Sequence, residues 1–99
     1  MIRHIVLFRL AAEDDTQRRE DAAEIASRLE ALHSQIAGFE SIRVDRDLGL
    51  VDGHWDLALV SEHEDNAALE AYQVHPLHKE AAAFIASVIS DRAVVDHSV

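Results

Sequence analysis

A short polar stretch, YQVHPLHKE at residues 72–80, contains side chains that can move protons. A histidine changes its protonation state near neutral pH and can take a proton from a carbon next to a carbonyl, while a tyrosine hydroxyl can donate to the enolate oxygen that forms. Tyr72 and His78 would lie on different faces of an unbroken helix. Pro76, the only proline in the chain, breaks that helix, and we expect the break to let the two side chains converge. The types and spacing of Tyr72 and His78 therefore allow a pair of side chains that could handle protons.

The same residues also have ordinary structural interpretations. A tyrosine commonly packs in a core with its hydroxyl at the rim, and a histidine among apolar side chains often only bonds a neighbour. His75 directly precedes the proline, so its backbone is expected to be extended, and its side chain is either a polar flank or part of a ligand site. The sequence thus leaves open whether the protein is an enzyme.

Metal binding is a weaker interpretation of this stretch. His75 and His78 have Pro76 between them, and Lys79 puts a positive charge where a carboxylate ligand would help. The segment EHED at residues 62–65 is interpreted as a solvated loop and helix cap. The chain has no glycine-rich phosphate loop, nucleophile elbow or dinucleotide fingerprint. We therefore expect neither a metal nor a cofactor.

Composition and charge narrow the class of protein. Of 99 residues, 48% are hydrophobic and 28% are charged, which is typical of a globular chain, and we expect one domain over residues 1–99. Nineteen acidic against nine basic residues give a formal charge of −10, which disfavours nucleic acid and anionic membranes as partners. The absence of cysteine excludes disulfides and thiolate chemistry. The first ten residues resemble neither a signal peptide nor a membrane span, so a cytoplasmic protein is expected.

Hydrophobic periodicity predicts four strands and two helical regions. The first helix has an apolar stripe at spacings of three and four and is expected to end at Gly38, and the second helical region is interrupted at Pro76. In the third strand, strict alternation places Trp55 on the side of Leu57 and Asp56 on the opposite side. The strands are predicted over residues 2–10, 39–49, 55–62 and 92–99.

The order strand, helix, two strands, helix, strand predicts an α+β fold, the ferredoxin-like βαββαβ plan with a four-stranded antiparallel sheet. Two helical regions can cover only one face of that sheet, yet both faces are apolar. We therefore expect a homodimer whose sheets pair face to face as a closed barrel, with room for a small hydrophobic ligand. The apolar residues of one face are Ile5, Leu7, Ala58, Val60, Ala93 and Val95, and those of the other are Val6, Phe8, Leu57, Leu59 and Val94.

Four segments, in matching order over essentially the whole chain, resemble the stress-responsive A/B barrel domain (Dabb) family. They are IRHIVLFRL, GHWDLALVSEHED, LEAYQVHPLHKE and DRAVVDHSV. The resemblance implies a ferredoxin-like fold that dimerises into an α+β barrel. Many bacterial members have no assigned activity, and a fold does not imply a function. The resemblance favours a protein of unassigned activity that binds a small hydrophobic molecule in a pocket at the barrel.

One branch of this family, the plant olivetolic acid cyclases, is similar to the chain in its first strand and in the Tyr-x-x-His-Pro-x-His segment. Its members close a linear polyketide by aldol condensation without metal or organic cofactor. The resemblance implies that the catalytic pair falls on Tyr72 and His78 and that His4 lines the pocket. A further pocket histidine of the branch falls on Asp56, where a carboxylate changes the charge. The alternative to a binding protein is thus a cyclase-like or other carbonyl proton-transfer enzyme, with His4, Asp56 and His75 as ligand-binding candidates.

Overall fold

The computed structural model describes all 99 residues as one four-stranded antiparallel sheet packed against three helices. A short 3-10 turn, Leu32–Ser34, follows the first helix. This is the ferredoxin-like α+β fold expected from the order of elements, with the second helical region divided into two helices. None of the helices has the length and apolar character needed to cross a membrane. The elements are β1 Ile2–Leu10, α1 Asp15–Ala31, β2 Phe39–Arg46, β3 Leu57–His63, α2 Asn66–Val74, α3 Pro76–Val88 and β4 Ile89–Ser98.

The strand order is β2-β3-β1-β4, so β1 is central and pairs with both β3 and β4. The first helix carries the chain across from β1 to β2, and β3 then returns between them. The register places His4 of β1 opposite Ser61 on one side and opposite Asp96 on the other. Side chains directly opposite each other point to the same face of a sheet. Polar residues from three strands therefore meet on one face.

The core lies on the face that the helices cover. Alternate residues of β1 are buried, and the residues between them are only half-buried, as expected for a strand with one face on a core. The helices present apolar residues at spacings of three and four to the same side. The buried core residues from the three helices are Ala22, Ile25, Leu29, Leu69, Tyr72, Ala81 and Ile85.

The other face of the sheet has no helix over it, and we call it the open face. Ile5, Leu7 and Ala58 are half-buried there, while Val60 is 36% and Val95 60% exposed. An apolar face of this kind on a four-stranded sheet is typical of an interaction surface.

Several predicted boundaries differ from the structure, and the largest difference is at the end of the first helix. The first helix ends at Ala31, well before Gly38, because the chain tightens into the 3-10 turn. Gly38 instead precedes β2 with a φ of 75°, and a Cβ at this position would lie 3.0 Å from the Cβ of Ala68. The glycine therefore allows both a left-handed backbone and the close approach of α2.

The predicted orientation of Trp55 is wrong. Trp55 lies beside the open face, where the guanidinium carbon of Arg9 is 4.3 Å from the centre of its ring. Asp56 instead turns toward the first helix, where it pairs with Arg18. The strand begins only at Leu57, so strict alternation does not extend back to these two positions.

Candidate active site

The helix break at Pro76 brings the predicted pair together. Residue 75 is extended, with φ −64° and ψ 137°, and Pro76 is the first residue of the following helix. The His75 Nδ1 atom accepts a hydrogen bond from the Leu77 backbone N–H at 3.1 Å, which caps that helix. As a result the ring centroids of Tyr72 and His78 are 4.5 Å apart. The predicted convergence is confirmed.

Both side chains line a cavity of about 310 Å³ between the sheet and the helices. Nine of its twelve lining residues are hydrophobic, and His4, His78 and Arg92 provide the polar groups besides the Tyr72 hydroxyl. The sequence placed the ligand space inside the barrel between two paired sheets, whereas this cavity lies on the helix-covered face of a single protomer. The reason is that His4 alternates with buried core residues of β1 and therefore faces the helices.

A second hollow, of about 390 Å³, lies elsewhere along the sheet. Leu7, Trp55 and Ala58 line it, and it contains none of the three residues Tyr72, His78 and His4. Its histidine, His54, is exposed and engaged by Asp47 at 3.1 Å. The smaller cavity holds the predicted pair of Tyr72 and His78 and is the candidate active site.

The hydrogen bond of His78 determines which of its nitrogens can act as a base. Its Nδ1 is 3.0 Å from the Gln73 carbonyl oxygen, which can only accept, so Nδ1 carries the proton and Nε2 is left with a lone pair. Burial lowers the pKa of His78, and the nearby His4 and Arg92 lower it further, against the opposing effect of the Gln73 hydrogen bond. At neutral pH the ring is a neutral base.

Tyr72 is suited to donate a proton in a hydrogen bond rather than to ionise. It is 1% exposed, and burial raises the pKa of its hydroxyl, because the phenolate would be poorly solvated. Its ring stacks on Phe39 at 4.7 Å. The Tyr72 hydroxyl is not a partner in the hydrogen bonds that His4, His63 and His78 form.

His63 is a buried histidine that packs against Tyr72 of the site, and the sequence interpretation missed it. The EHED segment was predicted to be a solvated loop and cap, but His63 ends β3 and is 0% exposed. Burial foremost lowers its pKa to about 4. Its ring is 4.9 Å from that of Tyr72, and its Nε2 is 3.0 Å from the Ser61 hydroxyl. Continued alternation from Leu57 would have found it. The cap itself is confirmed, since Asp65 accepts from a backbone N–H of the following helix.

His4 also reaches the cavity, as the sequence predicted. It is buried, and its Nδ1 is 2.5 Å from Oδ1 of Asp96. The register explains this contact, because the two residues are directly opposite on neighbouring strands. A carboxylate at this distance orients the imidazole ring.

The structure places the other two ligand-binding candidates outside the cavity. The Asp56 carboxylate accepts a hydrogen bond from the Leu10 backbone N–H at 2.8 Å and pairs with Arg18. These contacts join the start of β3 to the end of β1 and to the first helix. His75 is engaged in capping a helix. Ligand binding by Asp56 or His75 stays a prediction, and neither residue enters the site described here. No group of three or more His, Asp or Glu side chains is arranged to hold a metal ion.

Comparison with known protein families identifies the family to which this chain belongs. The model of the stress responsive A/B barrel domain (Dabb) matches residues 2–99. The chain belongs to the stress responsive A/B barrel domain family. No curated protein matches this Dabb chain.

Solved structures similar to this Dabb domain include proteins with and without a described activity. A dimeric protein of unknown function with a ferredoxin-like fold from Bacteroides fragilis is 28% identical, with a TM-score of 0.89 over 99% of this chain and 95% of that one. A dimeric ferredoxin-like protein of unknown function from Thermobifida fusca is 33% identical, with a TM-score of 0.82 over 99% and 90%. A hydroxynitrile lyase from Passiflora edulis is 17% identical, with a TM-score of 0.80 over 97% and 90%. At this low identity the last similarity shows the fold alone.

Proposed function

We propose that this Dabb domain binds a small apolar carbonyl compound in the helix-covered cavity and transfers a proton at the carbon next to the carbonyl. The observation that carries the proposal is the contact of Tyr72 with His78, 4.5 Å between ring centroids, at the wall of a mostly hydrophobic cavity. A neutral base beside a protonated hydroxyl is the pair that enolisation requires.

In this reaction Nε2 of His78 takes the proton from the α-carbon, so that a C–H bond breaks and an N–H bond forms. The electron pair moves to the carbonyl oxygen, and the Tyr72 hydroxyl donates a hydrogen bond to the enolate that develops. Tyr72 keeps its own proton because its pKa is raised. The imidazolium of His78 then returns a proton to carbon or exchanges it with water.

The proposed functional unit is a homodimer formed through the open face. Its support is the exposed apolar surface, which includes Val60 and Val95, and the dimeric state described for the proteins from Bacteroides fragilis and Thermobifida fusca. In such a dimer each protomer keeps its own cavity on the opposite side of the sheet. The cytoplasmic location expected from the sequence stays a prediction.

A suitable test is hydrogen–deuterium exchange at a ketone, followed by proton NMR in deuterated buffer. With 4-phenylbutan-2-one as the probe, the wild-type protein should remove the signals of the protons next to the carbonyl faster than buffer does. Tyr72→Phe and His78→Gln should each lower the protein-dependent rate about 100-fold. His33→Gln is the matched control, because His33 is exposed and lies outside the cavity.

Wild-type exchange with Tyr72→Phe and His78→Gln both unaffected would show that the pair is structural and would overturn the proposal. A wild-type rate equal to that of buffer, with the ketone still bound, would leave only the binding function. Dimer content should be the same in all four proteins, since none of these side chains lies on the open face.

A further inference from the structure

One charged side chain of the cavity has no partner in the protein. Arg92 lies opposite Phe8 in the register of β1 and β4, so it is on the helix-covered face, and it is one of the cavity's lining residues. Its side chain forms no hydrogen bond within the protein, and its backbone N–H donates to the Asp91 carboxylate at 2.9 Å. Its guanidinium forms none of the protein's six ion pairs.

Arg92 is exposed and is one of four arginines that form no ion pair, and among these four it is the one that lines the cavity. With 19 acidic residues against 9 basic ones, carboxylates are abundant, and four other arginines form ion pairs. Asp96, four positions further along the same face of β4, is directed to His4. No carboxylate of the protein therefore neutralises Arg92 at the cavity.

From these observations we infer that Arg92 recognises a carboxylate on the ligand, so that the cavity takes a small apolar keto acid. The ketone of this ligand rests on the proposed function, and its carboxylate rests on Arg92. A guanidinium binds a carboxylate through two parallel hydrogen bonds, which gives orientation as well as affinity.

The geometry of the sheet sets the order of groups along the ligand. His4 and Arg92 are at opposite ends of the cavity along the strands, because Arg92 is opposite Phe8, four residues from His4; that spacing corresponds to about 13 Å along a strand. His78 is within electrostatic reach of both, since both lower its pKa. A ligand with its ketone between Tyr72 and His78 would thus extend its carboxylate toward Arg92.

The test compares two probes of the same skeleton, 4-oxo-4-phenylbutanoate and its methyl ester, by isothermal titration calorimetry. The wild-type protein should bind the acid about tenfold more tightly than the ester, which is the gain typical of one charge-assisted contact. Arg92→Gln should abolish the preference, so that acid and ester bind the variant with equal affinity. Arg92→Lys should retain part of it, because lysine keeps the charge but not the two-pronged geometry.

Arg19→Gln is the matched control, since it removes the same charge from an exposed arginine of α1 that forms no ion pair. It should keep the wild-type preference. Equal affinity of the wild-type protein for acid and ester, a preference that survives in Arg92→Gln, or no saturable binding of the acid would each overturn the inference. The exchange assay remains separate: if the acid preference depends on Arg92 but no probe exchanges its protons, the proposed reaction fails and the carboxylate site stands.

Discussion

The ring of the fully buried His63 lies 4.9 Å from the ring of Tyr72, so a second imidazole packs against the tyrosine of the proposed catalytic pair. Its Nδ1 is buried and has no hydrogen-bond partner. Such a group is stable only in its neutral form, because a buried imidazolium would lose its hydration. The packing of Tyr72 is thereby linked to the protonation state of His63.

We expect this link to appear in the pH dependence of stability. The pKa of His63 is about 4 in the folded protein, against an ordinary value of 6.5. Above pH 6.5 His63 is neutral in both the folded and the unfolded protein, and its full contribution to the free energy of unfolding is present. As the pH falls from 6.5 to 4, only the unfolded chain takes up the proton, and the free energy of unfolding should fall by at most about 3 kcal/mol. Urea denaturation at each pH, at a constant protein concentration, measures this free energy of unfolding.

His63→Gln tests the origin of that loss. The variant should be less stable than the wild type at pH 7, and the difference should shrink as the pH falls toward 4, because glutamine does not titrate. His33→Gln, at an exposed histidine, should follow the wild-type curve. A His63→Gln curve parallel to that of the wild type over the whole range would assign the acid sensitivity to other groups.

The pH profile of exchange should report His78 as the base. Its lowered pKa means that the ring is deprotonated at neutral pH, so kcat/KM should be constant near pH 7. It should fall as His78 gains a proton, with the midpoint below the ordinary histidine value of 6.5. Circular dichroism at each pH separates this change from unfolding. A midpoint above 6.5 would mean that another group is the base.

A charge at the centre of the open face should separate the proposed dimer. Leu7 lies in the middle of β1 with its side chain on that face, and an aspartate there would be buried without a partner. Sedimentation velocity at micromolar concentration should give a dimer for the wild type and a monomer for Leu7→Asp. Ala83→Asp, on an exposed position of α3, should remain a dimer. A stable wild-type monomer would contradict the pairing of open faces.

Two glycines with a positive φ separate backbone strain from packing. Gly53→Ala, with φ 87° and no atom within 4 Å of the added Cβ, should lower the free energy of unfolding by about 1 kcal/mol. Gly38→Ala has a similar φ, but its Cβ meets Ala68 at 3.0 Å. It should therefore cost about 1 kcal/mol more, as α2 is displaced. Equal losses in denaturation experiments would show that α2 moves at no cost.

The expectations that rested on local patterns agree best with the structure. Strand β1 has the predicted bounds, and the helix break at Pro76 lies where the proline requires it. The predictions that extended a pattern too far were less accurate: Gly38 does not end the first helix, and Trp55 does not lie on the same side as Leu57. Hydrophobic periodicity describes the inside of a continuous helix or strand. It carries little information about the residue at which strand pairing begins.

The order of elements, the two apolar faces of the sheet and the meeting of Tyr72 with His78 across a proline were predictable from the amino-acid sequence, because each depends on residues close together in the chain. The groups that surround this pair could be found only in the folded protein. Arg92 lines the cavity, His63 packs against Tyr72, and Asp56 is paired with Arg18 outside the cavity. These positions depend on strand register and on the seating of helices against the sheet, which are set by contacts between residues far apart in sequence.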